Sequence, residues 1–286
     1  MKRVCMLVGL LGCSKHHERA PIDHEAARGV FEEMRIDAPP GMSDLTIDDR
    51  GMLWGIAERD REVIELELGK QPKRHVLEGI AAGNDTEALT WLGNGHFAIG
   101  IEGAAAPTAG VMFAELRGDR LVATRTRLLT NDELGVVLTI NHGIEALCGR
   151  ADELLAAVES VGTLPDGSRW APIVRMRGDA LTVTKLRLTT KKGKISALTC
   201  TIADDGTAQV VAIERHYGVS RLLRFTLKRG DVEVTPTLDI DLQPILHDSL
   251  NLEGIARLPD GRLVTINDNQ GSKPYGPTEL LVFAPR

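Results

Sequence analysis

Five oxygen-bearing side chains recur at the start of short apolar segments along the chain. They lie at spacings of 44, 58, 51 and 57 residues and are Ser43, Glu87, Glu145, Ser196 and Glu253. Each is followed by an apolar stretch, a polar turn and a second apolar stretch that ends near another carboxylate. This second set comprises Glu58, Glu102, Glu159, Glu214 and Asp268. Carboxylate and hydroxyl oxygens in such numbers suit a hard cation or general acid–base chemistry.

The elements that would position these residues form a repeat of apolar hairpins. In the second unit, Val111–Leu116 and Leu121–Leu128 continue the pattern as a third and a fourth strand. The repeat therefore predicts an all-β fold, a five-bladed β-propeller with four-stranded antiparallel blades. The last unit runs out after Thr278–Phe283, and residues near Val30–Ile36 are expected to complete its blade and close the ring. Unrelated hairpins in a β-sandwich are the alternative.

A propeller would bring the two sets of residues to one mouth of its central channel. The first strand of each blade lines the channel and the second runs back antiparallel to it, so the first set forms an inner ring and the second set surrounds it. Two like charges about 4 Å apart repel by about 4 kcal/mol at an effective dielectric of 20, so the ring needs protons or a cation. An all-oxygen donor set favours calcium, with the inner ring as ligands. The alternative is a salt-bridge network in which outer carboxylates pair with Arg59, Arg215, His142 and His216.

A family resemblance adds to this interpretation, and several short runs carry it. They are Asn141–Leu147, Ile213–Arg215, Asn251–Ala256, Pro259–Gly261, Asp268–Asn269 and Thr278–Leu281. Together they resemble the motifs of the bacterial "esterase-like activity of phytase" family. More distantly, the chain resembles the calcium-activated nucleotidases, five-bladed propellers whose axial calcium is bound by channel-lining Ser and Glu residues. By motif, the inner ring matches those ligands, so the resemblance implies calcium and phosphoester chemistry.

The predicted function is that of a calcium-dependent hydrolase acting on a phosphoester or related ester. Glu58, Glu102 or Glu214 would act as the base, while Arg59 and Arg215 would neutralise an anionic substrate. The remaining rim positions, expected to face the substrate, are His142, Glu159, His216 and Asp268. A Gly-x-Ser-x-Gly nucleophile motif is absent from the sequence.

Two other functions stay open at this point. One is a non-catalytic, calcium-stabilised propeller whose rim binds a protein or envelope ligand. The other is a glycosidase with two carboxylates, which is disfavoured because sugar sites stack ligands on aromatic rings and the chain has only three Trp, two Tyr and five Phe.

Composition restricts the partners further. The 286 residues are 43% hydrophobic and 26% charged, with a formal net charge of −6. This mild acidity argues against nucleic-acid binding, which needs a basic face. We expect a monomer that takes a small anionic substrate or an envelope ligand.

The pattern of the first residues is typical of a targeting segment. Lys2 and Arg3 precede a short apolar stretch, and Leu10–Cys13 resembles a bacterial lipobox. We predict a signal peptide over residues 1–12, lipidation at Cys13, a polar tether over 13–40 with a short helix around His24–Met34 and the closing strand, and the propeller over 41–286. The protein would then be an exported envelope lipoprotein that touches the membrane only through its lipid. An ordinary secretory signal or a buried first strand is the alternative.

Two cysteines remain in the predicted propeller. Cys148 and Cys200 both lie in apolar strand patterns, and we expect buried free thiols rather than a disulfide.

Overall fold

The chain folds almost entirely into short β-strands that pair with their neighbours in sequence. The computed structural model describes residues 22–58, 60–67, 70–246, 250–269 and 276–285. The helices within these residues are three single turns: α1 (His24–Ala27), α2 (Asn131–Leu134) and α3 (Gln243–Leu246). None of them is long and apolar enough to cross a membrane. The prediction of an all-β fold is confirmed.

Five successive groups of strands form antiparallel meanders, here called meanders I to V. Meander I consists of β2 (Met42–Ile47), β3 (Leu53–Ala57), β4 (Glu62–Leu66) and β5 (Lys73–Glu78). Meander II consists of β6 (Asn84–Gly93), β7 (His96–Gly103), β8 (Ala109–Arg117) and β9 (Arg120–Leu128). A short parallel pairing of β5 with β9 joins these two meanders into one eight-stranded sheet.

The other three meanders follow the same order. Meander III consists of β10 (Ile144–Arg150), β11 (Glu153–Val158), β13 (Arg169–Arg177) and β14 (Ala180–Arg187), with β12 (Gly162–Thr163) paired to β13. Meander IV consists of β15 (Lys194–Ile202), β16 (Ala208–His216), β17 (Val219–Leu227) and β19 (Thr237–Asp241), while β18 (Glu233–Val234) joins the edge of meander III. Meander V consists of β20 (Asn251–Arg257), β21 (Leu263–Asp268), β22 (Thr278–Phe283) and β1 (Phe31–Ile36).

The first strands of the meanders form a closed circle. β2 contacts β6, β6 contacts β10, β10 contacts β15, β15 contacts β20, and β20 contacts β2. The later strands of each meander lie progressively farther from the circle. This radial arrangement is that of a β-propeller and not of a two-layer sandwich.

The apolar core lies between adjacent meanders. Five clusters of buried side chains fill the spaces I–II, II–III, III–IV, IV–V and V–I. Between meanders I and II, for example, the rings of Trp54 and Phe97 meet edge to face with centroids 5.2 Å apart. Because strand side chains alternate between faces, each meander contributes apolar residues to both of its neighbours. This packing holds the first strands around a common axis.

The described part of the N-terminal segment closes the circle. β1 pairs antiparallel with β22, with Phe31 opposite Phe283, as the sequence predicted. The helix expected around residues 24–34 is shorter than predicted, because Gly29 adopts a left-handed φ of +77° and the chain then extends into β1. The predicted signal peptide and Cys13 lie outside the described residues.

Cys148 and Cys200 form a disulfide, so the expectation of free thiols is wrong. Cys148 lies on β10 and Cys200 on β15, with Cα atoms 5.7 Å apart and a sequence separation of 52. Cys148 is buried and Cys200 is partly buried, and strand patterning says nothing about which first strands are adjacent. Adjacent first strands bring the two thiols within bonding reach.

Candidate functional site

A β-bulge marks the same position in the first strand of every meander. The pairing of first and second strands shifts register by one residue at five places: Met42/Asp44, Thr86/Ala88, Ile144/Ala146, Ile195/Ala197 and Leu252/Gly254. The residues passed over are Ser43, Glu87, Glu145, Ser196 and Glu253. A bulge re-aims the extra side chain. The five predicted inner-ring residues are therefore structurally equivalent.

A cavity of about 140 Å³ lies at this end of the circle. It gathers most of both predicted sets, and its lining comprises Ser43, Glu58, Glu87, Glu102, Asn141, Glu145, Glu159, Lys194, Arg215, Glu253 and Asp268. Ser196 is buried but is not part of this lining, because its hydroxyl donates to the carbonyl of Leu252 at 3.0 Å. The fold thus brings four of the five inner-ring residues, and four of the five outer carboxylates, around one space.

Glu102, Glu145 and Glu159 form the tightest carboxylate group. Each offers an oxygen within 4.8 Å of the other two, and all three residues are buried. Glu102 accepts a hydrogen bond from the amide of Gly143 at 3.2 Å. One oxygen of Glu159, Oε2, is buried without a hydrogen-bond partner, and Nδ1 of His142 lies 3.9 Å from it. An unpaired buried carboxylate oxygen is costly unless a proton or a cation meets it.

Burial and mutual repulsion shift the acidities of the ring. The pKa of Glu145 and of Glu253 is raised to about 7, chiefly by burial and also by nearby carboxylates, against the opposing attraction of Lys194 and Arg215. Burial, followed by the charges of its neighbours, raises the pKa of Glu87 well above its ordinary value. At neutral pH the ring therefore holds some of its protons in the absence of a cation.

Two cations enter the cavity but do not balance it. Lys194 forms an ion pair with Glu159, and Arg215 forms one with Glu253. Asn251 donates to Glu253 at 2.9 Å and to Asp268 at 3.0 Å. The lining holds seven carboxyl groups against one lysine and one arginine. The ion pairs differ from the predicted salt-bridge network: Arg215 pairs with the inner-ring Glu253, and Lys194, which was not predicted, pairs with the outer Glu159.

Glu214 is placed differently from the other outer carboxylates. It is fully buried and does not line the cavity. Its oxygens accept four hydrogen bonds, from the amides and the hydroxyls of Thr189 and Thr190 at 2.5–3.0 Å. Because both oxygens already accept hydrogen bonds from Thr189 and Thr190, the structure does not support the predicted role of Glu214 as general base.

The remaining predicted residues lie at or beyond the rim. His142 is half exposed, and its Nδ1 lies 2.9 Å from the carbonyl of Ile140. Nδ1 of His216 accepts from the amide of Tyr217 at 2.8 Å, so this nitrogen carries no proton. Arg59 lies outside the described residues.

Sequence reasoning missed three residues at the site. Lys194 and Asn141 line the cavity although they belong to neither repeated set. Asp44 follows the first bulge and is fully buried, accepting from the amides of Leu45 at 2.7 Å and Leu89 at 2.8 Å. Burial raises its pKa well above the ordinary value. A signal was available for this residue, since the equivalent positions hold only small side chains, Ala88, Ala146, Ala197 and Gly254.

Comparisons with known proteins give no family. No protein-family model and no curated protein matches this sequence. Among solved structures, the PQQ-bound aldose sugar dehydrogenase from Streptomyces coelicolor is 10% identical, with a TM-score of 0.49 over 89% of this chain and 98% of that chain. A calcium-binding regucalcin from Agrobacterium tumefaciens is 13% identical, with a TM-score of 0.46 over 89% and 94%.

A third solved structure is equally distant. The virginiamycin B lyase from Staphylococcus aureus is 10% identical, with a TM-score of 0.41 over 89% of this chain and 99% of that chain. Likenesses this weak carry no inference about the activity of the chain. They do not support the phytase-like resemblance specifically, which stays a prediction.

Proposed function

We propose that the chain is a calcium-dependent hydrolase of a phosphoester or related ester, built on a five-bladed propeller. The cavity carries this proposal: seven carboxyl groups face two cations, and the buried Oε2 of Glu159 lacks a hydrogen-bond partner. Five bulges at equivalent positions, one in each meander, support the blade count.

The residues present fit a hard divalent cation. The donors facing the cavity are carboxylate and hydroxyl oxygens, which calcium and magnesium prefer over nitrogen or sulfur ligands. Calcium accepts six to eight oxygens in flexible geometry, which suits a wide ring better than the strict octahedron of magnesium. The residues that would hold it are Ser43, Glu87, Glu145, Glu159 and Glu253. Ser196 is outside this set because it does not line the cavity.

When bound, calcium would polarise an ester or phosphoryl oxygen and neutralise developing charge. The chain's own residues would supply the remaining functions. Glu58 and Glu102 line the cavity and are the candidates for a base that takes a proton from water, whereas Glu214 holds a loop. Arg215 and Lys194 would attract the anionic group of a substrate.

Turnover of p-nitrophenyl phosphate and p-nitrophenyl acetate tests the proposal. We expect hydrolysis of one of them in calcium, loss of activity with chelator and recovery when calcium is returned. Glu102→Gln should lower the rate by at least about 100-fold, the low end of what general-base catalysis contributes. Glu32→Gln, on the exposed face of β1, is the matched control. Calcium binding without turnover of either substrate, or of a wider ester panel, would favour the non-catalytic alternative.

The disulfide supports the export that the N-terminal sequence predicts. Disulfides persist in oxidising compartments and are rare in the cytosol. We therefore propose that the protein works outside the cytoplasm, as a monomer anchored through Cys13.

A further inference from the structure

A lysine-rich loop borders the carboxylate cavity between meanders III and IV. This loop, here called the lysine loop, spans Thr189–Lys194 and reads Thr-Thr-Lys-Lys-Gly-Lys. It connects β14 to β15, and its last residue, Lys194, lines the cavity. The proposed hydrolysis involves Lys194 but no other residue of the loop.

Buried contacts hold the lysine loop in a defined shape. Both oxygens of Glu214, which is 0% exposed, accept from the amides and hydroxyls of Thr189 and Thr190. The hydroxyl of Thr190 also accepts from the amide of Gly193 at 2.8 Å, and the guanidinium of Arg169 donates to the carbonyl of Gly193 at 2.8 Å. A fully buried carboxylate with four hydrogen bonds is a rigid anchor. Glu214 is thus a positioning residue for this loop.

The held loop concentrates positive charge at one side of the mouth. Lys191 and Lys192 are exposed, and no carboxylate among the described residues pairs with them. Lys194 lies opposite Arg215 in the strand register, so the two cations are neighbours. The same positive charges act on His216. Burial lowers the pKa of His216, and Lys194, Arg215 and Lys192 lower it further. The mouth therefore has a cationic side facing an anionic ring.

We propose that the lysine loop binds a phosphoryl group of the ligand that enters the carboxylate cavity. The inference rests on the proposed function, which places the rest of the ligand in the carboxylate cavity. Binding by the loop can nevertheless be measured without turnover. Lysine ammonium groups are common ligands of phosphate oxygens, and a loop whose backbone is already held in shape lowers the entropy cost of placing them.

Metal and phosphoryl binding should reinforce each other. Lys194 is engaged by Glu159, and Arg215 by Glu253. A divalent cation bound by Glu159 and Glu253 would compete with these ion pairs. The side chains of Lys194 and Arg215 would then be released towards the loop. Coupling of this kind is reciprocal and typically amounts to about 5–150-fold in affinity.

Calorimetry with phenylphosphonate, a non-hydrolysable phosphoryl probe, tests the loop on the full chain. We expect binding to the calcium-loaded protein at least about fivefold tighter than to the chelated protein. The double variant Lys191→Gln/Lys192→Gln should weaken it at least about tenfold, the loss expected for one charge-assisted hydrogen bond. Lys228→Gln, an exposed lysine on another turn, is the control and should change it less than about twofold.

Titration of calcium alone separates the two proposals. Absence of calcium binding would contradict the proposed function. Calcium binding with no phenylphosphonate binding, or with equal affinity in the double variant, would overturn the loop proposal alone. Inorganic phosphate in a parallel titration shows whether the probe's aryl group is needed. Binding of benzenesulfonate as tightly as phenylphosphonate would show that the loop is a general anion-binding surface and would also overturn the loop proposal.

Glu214→Gln supplies a further readout of positioning. A neutral amide accepts fewer and weaker hydrogen bonds, so phenylphosphonate affinity should fall and proteolytic cleavage within the lysine loop should rise. Unchanged affinity and unchanged cleavage in a folded variant would contradict the anchoring role. The double lysine variant changes only exposed side chains, so the test does not depend on Glu214→Gln folding.

Discussion

Removing one ring carboxylate should stabilise the protein without metal and destabilise it relative to wild type with metal. Glu145 is buried, and its pKa is raised from 4.5 to about 7. At pH 8 the folded state must ionise this group against that shift, which costs about 3 kcal/mol at about 1.4 kcal/mol per pKa unit. Glu145→Gln removes the charge and keeps the shape. We therefore expect the free energy of unfolding in chelator to rise by up to about 3 kcal/mol.

Calcium should reverse this order. A ligand that binds only the folded state at 1,000 times its Kd stabilises by about 4.1 kcal/mol, which exceeds the gain of about 3 kcal/mol expected for the variant, and the variant lacks one carboxylate of the binding set. Urea denaturation at pH 8, followed by tryptophan fluorescence with chelator and with calcium, measures both effects. Glu32→Gln is the control and should track wild type in both conditions. A Glu145→Gln protein less stable than wild type in chelator would refute the claim that the ring is under charge strain.

Three further predictions concern pH, the disulfide and a buried ion pair. The pKa of Glu145 is higher in the folded than in the unfolded state, so the folded chain holds more protons from about pH 4.5 to 7. Stability in chelator should therefore fall as pH rises through this window and level off above it. A urea midpoint that rises with pH in this window would contradict the pKa shift. Reducing Cys148–Cys200 should cost about 2–4 kcal/mol of stability, measured with and without reductant, and non-reducing peptide mapping should recover the two cysteines in one linked peptide. Glu153→Gln leaves the buried Arg175 without its carboxylate and should lower the free energy of unfolding by about 3–5 kcal/mol. The control Glu115→Gln, in an exposed ion pair, should lower it by less than about 1 kcal/mol. Equal losses in denaturation would contradict the burial assigned to Glu153.

The repeat in the sequence predicted the ring because one local feature repeats with it. Each inner-ring residue precedes an apolar stretch, and the same bulge places all five of them at equivalent points, so aligning the units aligned Glu87 with Glu145 and Glu253. Alignment could not show side-chain direction. Ser196 occupies the equivalent position, yet its hydroxyl turns to the carbonyl of Leu252.

Contacts between units were beyond the sequence. The pairing of Cys148 with Cys200 depends on which first strands are adjacent, a property of the closed circle and not of either strand. Lys194 was missed because both repeated sets consist of oxygen donors, whereas the first residue of β15 is a lysine. Glu214 has the spacing of an outer carboxylate, but Thr189 and Thr190 take up its oxygens.

The central claim is that the carboxylate ring binds one calcium ion per chain. Calorimetric titration of calcium into the metal-free protein near pH 7, repeated in buffers of different ionisation enthalpy, tests it directly, because the pKa values of Glu145 and Glu253 of about 7 mean that the entering ion displaces protons. We expect a stoichiometry of one with release of protons, and loss of both in Glu145→Gln. Absence of binding heat, together with a melting temperature that calcium does not change, would contradict the claim.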